Sequence, residues 1–85
     1  MRRRMAQHRN AVSFDEARRV LEAYGWTLTR IAGSHHRYSR GGSHLTIPLR
    51  RPHILPVYVR QILAMTAADD EADERKGGSS DDANT

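Results

Sequence analysis

The chain has 85 residues, with 14 Lys and Arg against 10 Asp and Glu, and contains no cysteine. From this length we expect one small domain and no second catalytic domain. The lack of cysteine excludes a disulfide framework, a cysteine-based zinc site and a thiol nucleophile. The longest uncharged apolar run, residues 54–59, is too short to cross a bilayer, so we expect a cytoplasmic protein.

The net charge of +4 combines two segments of opposite sign. Residues 1–66 contain twelve Arg and three acidic residues, a net charge of +9, whereas residues 67–85 have a net charge of −5. Almost all of the positive charge is on arginine, whose planar guanidinium matches phosphate oxygens bidentately. A polyanion, most simply a nucleic acid, is therefore the first partner to consider.

Residues 1–12 are polar and basic without an apolar period, which predicts a flexible basic arm. The first helix is predicted to begin at Ser13, which forms a capping box with Glu16. It is expected to end before Gly25, a favoured residue just after a helix C-terminus. Its apolar stripe at helical spacing consists of Phe14, Ala17, Val20, Leu21 and Tyr24.

Three strands of an antiparallel meander are predicted next. Residues 26–31 are rich in aromatic and β-branched side chains, and glycine turns at 33–34 and 41–42 lead into residues 35–40 and 44–49. A proline- and arginine-rich loop follows, and a second amphipathic helix is predicted from Pro56. Its apolar stripe consists of Leu55, Tyr58, Val59, Ile62 and Leu63.

The predicted order, α-β-β-β-α over residues 13–66, is typical of an α+β two-layer sandwich. In this architecture two helices cover one face of a three-stranded antiparallel sheet. The other sheet face stays open beside the arginine-rich loop, and there we expect a ligand to bind. Residues 67–85 are predicted to form a disordered acidic tail.

Alternation along the second strand places His35 and Arg37 on one face and Tyr38 on the other. Tyr38 is the apolar anchor of this strand, so we expect it to face the helices together with His36. By the same alternation, His44 of the third strand shares the open face with His35.

Histidine beside arginine has a defined chemistry on RNA. Imidazole can take the proton from a ribose 2′-hydroxyl that attacks the adjacent phosphodiester, and guanidinium stabilises the charge that develops on phosphorus. A site with this chemistry would be a metal-independent ribonuclease, but the spacing of these residues does not by itself decide for it. The alternative that the residues leave open is a solvated histidine on a strand surface that contacts phosphate without chemistry.

No metal site or cofactor is expected. His35 and His36 are adjacent in a strand, point to opposite faces and cannot chelate one ion together. His35 and His44 across the hairpin would supply two ligands, but no nearby carboxylate or cysteine completes a set.

Several motifs follow one another in a distinctive order: Gly25-Trp26, the segment GSHHRY at 33–38, the segment LTIP at 45–48, and a closing helix with Ile62-Leu63. In this combination they resemble the HicA-type toxins, small mRNA interferases of type II toxin–antitoxin systems. The resemblance covers roughly residues 13–65. It implies a fold like a double-stranded RNA-binding domain and an endoribonuclease that degrades mRNA and arrests growth.

The resemblance also implies site residues and partners. The catalytic histidine of the family's Gly-Ser-His motif falls on His35, with His36 as the fallback. Many relatives carry a further histidine where this chain has Arg50. The implied partners are mRNA and a HicB-type antitoxin, which covers the active face and represses the shared operon.

We therefore predict that His35 is the general acid and base and that Arg37 is the first phosphate contact. Further electrostatic contributions to RNA binding are expected from Arg30, Arg40, Arg50 and Arg51. Two alternatives from other classes remain: a non-catalytic RNA-binding module of the same fold, and a protein-interaction role in which the basic face docks an acidic partner.

Overall fold

A computed structural model describes residues 1–68. Helix α1 spans Arg2–Gln7 and helix α2 spans Phe14–Ala23. Strands β1, β2 and β3 span Thr27–Ala32, His35–Arg40 and Ser43–Pro48. Helix α3 begins at residue 56 and continues to residue 68. The α+β class and the order α-β-β-β-α are confirmed, with α1 as an additional helix in front.

Helix α2 begins and ends where its capping residues predict. The backbone N–H of Glu16 donates to Ser13 Oγ at 3.0 Å, which satisfies one of the free amide groups of the first turn. At the other end Gly25 has a φ of 87°, a left-handed conformation that glycine adopts without strain. The chain then turns toward β1. Just before this strand, the backbone N–H of Trp26 donates to Leu21 O of α2 at 2.9 Å.

The three strands form one antiparallel sheet in the order β1-β2-β3. The first residue of each two-residue hairpin turn is a glycine with positive φ, Gly33 at 61° and Gly41 at 57°. Such turns match the twist of the flanking strands. β2 is therefore the central strand, and its side chains decide what each face of the sheet presents.

The core lies between one face of the sheet and the helices. Tyr38 of β2 is 1% exposed and pairs in register with Leu45 of β3, while Ile47 is fully buried. Burial raises the pKa of the Tyr38 phenol, which stays protonated at neutral pH. The opposite face is solvent-exposed along most of its length, so the helices cover only one face, as predicted. The remaining buried apolar residues of this cluster are Met5, Val12, Ala17, Val20, Leu21, Trp26, Ile54, Val59, Ile62 and Leu63.

The predicted apolar stripe of the last helix is wrong at its first member. Leu55 is 43% exposed, whereas its neighbour Ile54 is fully buried. The backbone N–H of Ile54 donates to Val12 O at 2.9 Å, which holds Ile54 in the core ahead of α3. Leu55 precedes the helix and so does not follow its period.

The prediction of a flexible, unpacked arm at residues 1–12 is also wrong. Residues Arg2–Gln7 form α1, and Met5 and Val12 are fully buried. The Arg2 guanidinium donates to Thr66 Oγ1 and to Leu63 O, both at 2.8 Å, and so joins α1 to α3. Arg4 pairs with Glu16 of α2. The sequence pattern missed this helix because one turn and a half is too short to show an apolar period.

The predicted acidic tail begins at residue 67, but residues 67 and 68 belong to α3. The rest of that segment lies outside the described residues. Within residues 1–68, none of the helices combines the length and the apolar character that a membrane span requires.

Because α1 packs on the domain, substitution of its buried residue Met5 should lower the free energy of unfolding. The same substitution in a flexible arm would have no effect. We expect Met5→Ala to lower the free energy of unfolding by about 2–4 kcal/mol, because a fully buried methionine leaves a cavity. Met65→Ala, at a position 37% exposed, should have a clearly smaller effect. Urea denaturation followed by circular dichroism measures both. Equal, small effects would show that α1 does not pack on the domain.

Candidate active site

The sheet face that points away from the helices is here called the outer face. Cross-strand pairing joins His35 to Pro48, Arg37 to Thr46 and Ser39 to His44 on this face. The placement of His35, Arg37 and His44 together on the open face is as predicted. The outer-face residues are Thr27, Thr29, Arg30 and Ala32 of β1, His35, Arg37 and Ser39 of β2, and His44, Thr46 and Pro48 of β3.

A β-bulge in β1 brings a second arginine to the outer face. The register with β2 shifts between Leu28 and Arg30, so Thr29 has no partner residue. Regular alternation from Leu28, which lies opposite the inward-facing Tyr38, would turn Arg30 toward the helices. The extra residue reverses the alternation, and Arg30 lies directly opposite Arg37.

The Arg30–Arg37 pair places two like charges directly across neighbouring strands. Both arginines are exposed, and such pairs destabilise a sheet unless a counter-charge is present. In residues 1–68 the acidic residues are Asp15, Glu16 and Glu22, all on α2 and none on the sheet. A phosphate bound between the two guanidinium groups would relieve the repulsion.

The carboxylates of α2 are already engaged by arginines of the helix layer. Asp15 pairs with Arg18 at 2.6 Å and with Arg19 at 3.2 Å, and Arg18 also pairs with Glu22 at 3.0 Å. The hydrogen bond from Arg18 holds the pKa of Asp15 below its usual value. These ion pairs leave the positive charge of the outer face uncompensated within the described part of the chain.

His35 is the first residue of β2 and is exposed at one end of the outer face. Its neighbours in register are Ala32 of β1 and Pro48 of β3. The backbone N–H of Leu49 donates to Ser34 O at 2.7 Å, so the chain leaves β3 beside the turn that precedes His35. This bond brings the backbone of the following arginines, residues 50 and 51, to the same end of the sheet.

His36 lies on the helix side of the sheet. Its ring packs on Phe14 of α2 with a centroid separation of 4.7 Å. Its Nδ1 lies 3.1 Å from Ser34 O, and because a carbonyl only accepts, this nitrogen is the donor. His36 is half-buried and held by two contacts, whereas His35 faces solvent.

The structure separates Arg40 from the other predicted RNA contacts. Alternation places it on the side of Tyr38, and a Cβ atom at Gly25 would lie 3.2 Å from Arg40 Nε. Arg40 therefore lies beside the end of α2 rather than on the outer face. Arg50 and Arg51 are exposed in the loop after β3, where Arg50 Nη1 donates to His53 O at 3.1 Å.

The register also separates His35 from His44. His44 pairs with Ser39, four residues along β2 from His35, which corresponds to about 13 Å. The two histidines cannot share one metal ion at that distance. Among residues 1–68 no group of three or more His, Cys, Asp or Glu side chains is placed to hold a metal ion.

A hydrogen-bonded polar cluster at the other end of the outer face was not predicted as functional. Ser39 Oγ lies 2.8 Å from His44 Nδ1 and 3.3 Å from Thr29 Oγ1. Thr29 Oγ1 also donates to Arg37 O at 3.3 Å. Alternation assigns Ser39 and His44 to this face, but the bulge that brings in Thr29 has no recognisable sequence pattern.

A small α+β domain with an open basic sheet face, compatible with a fold like a double-stranded RNA-binding domain, is the class that this geometry defines. The model of the family described as "HicA toxin of bacterial toxin-antitoxin" matches residues 14–68. The chain belongs to this HicA toxin family and is thus the toxin of a toxin–antitoxin system, which implies an antitoxin partner. Comparison with curated proteins and with solved structures gave no significant match. The matched segment begins with α2, so α1 lies outside it.

The repulsion between Arg30 and Arg37 predicts a specific response to salt. Raising the ionic strength from about 0.01 M to about 0.15 M shortens the Debye length from about 30 Å to about 8 Å and should raise the thermal midpoint of the parent protein. We expect Arg37→Gln to show a smaller gain, because the pair is already abolished. Arg60→Gln, an exposed position on α3, is the matched control. If the salt-induced rise in thermal midpoint is reduced equally in both variants, net charge rather than the Arg30–Arg37 pair explains the salt effect.

Proposed function

We propose that this toxin is a metal-independent endoribonuclease that cleaves mRNA with His35 as general acid and base, and so inhibits translation. One observation above all supports the proposal. His35 is exposed on a sheet face that also presents Arg30 and Arg37, and no acidic residue of the described chain lies on that face. An RNA phosphate is the ligand that this combination of charges and proton-transfer groups suits best.

The proposed reaction is an internal transfer at phosphorus. The ribose 2′-oxygen forms a bond to the adjacent phosphorus, and the bond from phosphorus to the 5′-oxygen of the next nucleotide breaks. Neutral His35 takes the 2′-hydroxyl proton, and the resulting imidazolium returns a proton to the departing 5′-oxygen directly or through water. The products are a 2′,3′-cyclic phosphate and a 5′-hydroxyl.

The arginines supply the electrostatic part of this proposal. Arg37 lies two residues from His35 on the same face, and Arg30 is directly opposite Arg37. Guanidinium groups here would bind the phosphate oxygens and stabilise the charge that develops on them. Arg50 and Arg51 would extend the positive surface from the loop, whereas Arg40 would add only long-range attraction from the other side of the sheet.

The placement of the two neighbouring histidines favours His35 over His36. A general base must reach the proton that it removes, and His35 is open to a substrate on the outer face. His36 faces Phe14 and uses Nδ1 to bind Ser34 O. His36 is thus better suited to holding the turn than to contacting RNA.

Substrate preference follows from the same geometry. Attack by a 2′-hydroxyl restricts the reaction to RNA. Trp26 and Tyr38, aromatic residues that would stack on bases, are 3% and 1% exposed. Tyr58 of α3 is half-buried and packs against the core. Recognition would rest on the sugar–phosphate backbone, so we propose weak base specificity. For the partner, we propose a HicB-type antitoxin that covers the outer face and excludes RNA.

Removal of one imidazole tests the proposed catalyst. In buffer with EDTA, the parent should cleave a labelled RNA, and His35→Ala should lose about 10²–10⁴-fold in rate, the usual contribution of general acid–base catalysis. His8→Ala is the matched control, since His8 is exposed and lies on α1's C-terminal side, outside the sheet. Circular dichroism verifies that each variant is folded.

The other outcomes separate the competing functions. RNA binding without cleavage by any form would favour the non-catalytic RNA-binding module. Equal cleavage by the parent and His35→Ala would place the chemistry elsewhere, and His36→Ala would then be measured. If the parent protein has no affinity for RNA, the proposal is contradicted. The remaining alternative is then a protein-interaction role, in which the basic face docks an acidic partner.

A further inference from the structure

Three polar side chains cross the outer face as one hydrogen-bonded row, at the end of β2 away from His35. The row joins β3 to β2 through His44 and Ser39, and β2 to β1 through Ser39 and Thr29. It ends on the backbone carbonyl of Arg37. His44, Ser39 and Thr29, here called the hydroxyl–imidazole row, have no role in the cleavage step proposed above.

The end of the row determines the direction of every hydrogen bond in it. A carbonyl only accepts, so the single hydroxyl proton of Thr29 is donated to Arg37 O. Thr29 Oγ1 can then only accept, so Ser39 donates to it. Ser39 Oγ in turn accepts from His44, and Nδ1 of His44 therefore carries a proton.

This arrangement leaves Nε2 as the free nitrogen of an exposed imidazole. In the neutral ring, Nε2 is an acceptor suited to a ribose 2′-hydroxyl. In the charged ring, Nε2–H is a donor suited to a phosphate oxygen, and the bond from Nδ1 to Ser39 persists in both forms. Both groups belong to the backbone of RNA.

The separation between His44 and His35 decides which nucleotide is contacted. Four residues along β2 correspond to about 13 Å, too far for both imidazoles to act on one phosphodiester. The two histidines nevertheless share one continuous, exposed and positively charged face. A strand of RNA whose scissile phosphate lies at His35 and Arg37 could extend along β2 to the row.

We propose that the hydroxyl–imidazole row is a second subsite, in which His44 binds the sugar–phosphate backbone of a nucleotide next to those that flank the cleaved bond. The inference rests on the proposed function, because it takes RNA as the substrate. Ser39 and Thr29 are positioning residues that fix the ring of His44. The bulge at Thr29 serves both ends of the face, since it turns Arg30 outward and aims Thr29 Oγ1 at Ser39.

The test measures binding and cleavage with substrates of two lengths. Binding is measured by anisotropy in a His35→Ala background, with a labelled RNA of about ten nucleotides, within the usual size of a single-strand site. We expect His44→Ala to weaken binding about fivefold to tenfold, as for the loss of one hydrogen bond. Ser39→Ala should weaken it less, and His44→Arg should restore it. His8→Ala, which removes an exposed imidazole outside the sheet, is the matched control and should leave binding unchanged.

Cleavage of a dinucleotide, with His35 intact, provides the complementary readout. The subsite lies beyond such a substrate, so the parent and His44→Ala should cleave it equally while differing on the longer RNA. Unchanged binding of the longer RNA by His44→Ala, in a parent that cleaves RNA, would overturn the subsite and leave the proposed function intact. Loss of dinucleotide cleavage by His44→Ala would also overturn the subsite, because His44 would then take part in the reaction itself. No RNA binding by the parent would refute both proposals.

Discussion

The burial of Tyr38 is the constraint on which the geometry of this protein depends. Tyr38 lies at the centre of the central strand and is 1% exposed. Side chains of a strand alternate between two faces, so an inward Tyr38 sends His35, Arg37 and Ser39 outward. A shift of one residue in β2 would bury the arginine and expose the tyrosine. The core and the candidate site therefore specify the same register.

The outer face contains an electrostatic repulsion that a bound anion would relieve. Arg30 and Arg37 face each other without a carboxylate nearby in the described chain, and the bulge at Thr29 creates that opposition. A sheet selected only for stability would place opposite charges or hydroxyls at these positions. Features of this kind occur at functional sites, where local stability is lower than it could be. A bound phosphate backbone would convert the repulsion into two favourable contacts.

The sequence predicted those parts of the fold that local rules determine. Ser13 with Glu16 defined the start of α2, Gly25 its end, and the glycine turns defined the hairpins. Alternation correctly placed His35, Arg37 and His44 on one face. The same rules missed α1, because Met5 and Val12 are buried by tertiary contacts and show no period of their own. They also missed Ile54, which is buried ahead of α3 in a segment whose backbone bonds to Val12 O.

In the candidate site, too, the sequence predicted what one segment determines and missed what depends on the pairing of several strands. The motif around His35 was recognisable, but the opposition of Arg30 and Arg37 requires a bulge that leaves no mark in the composition of β1. The hydroxyl–imidazole row depends on the pairing of three strands, and no pattern within one strand predicts it. Arg40 was predicted to contribute to RNA binding from its charge, and only the position beside Gly25 shows that it lies on the other side of the sheet.

The most direct test of the account is the chemical identity of the ends that cleavage produces. Purified protein is incubated in EDTA with RNA and with the same oligonucleotide carrying 2′-deoxyribose throughout, and the products are examined by mass spectrometry. Attack by the 2′-hydroxyl predicts a 2′,3′-cyclic phosphate on one fragment, a 5′-hydroxyl on the other, and no cleavage of the deoxy substrate. Fragments with a 3′-hydroxyl and a 5′-phosphate, or cleavage of the deoxy substrate, would contradict a mechanism built on His35 and the outer face.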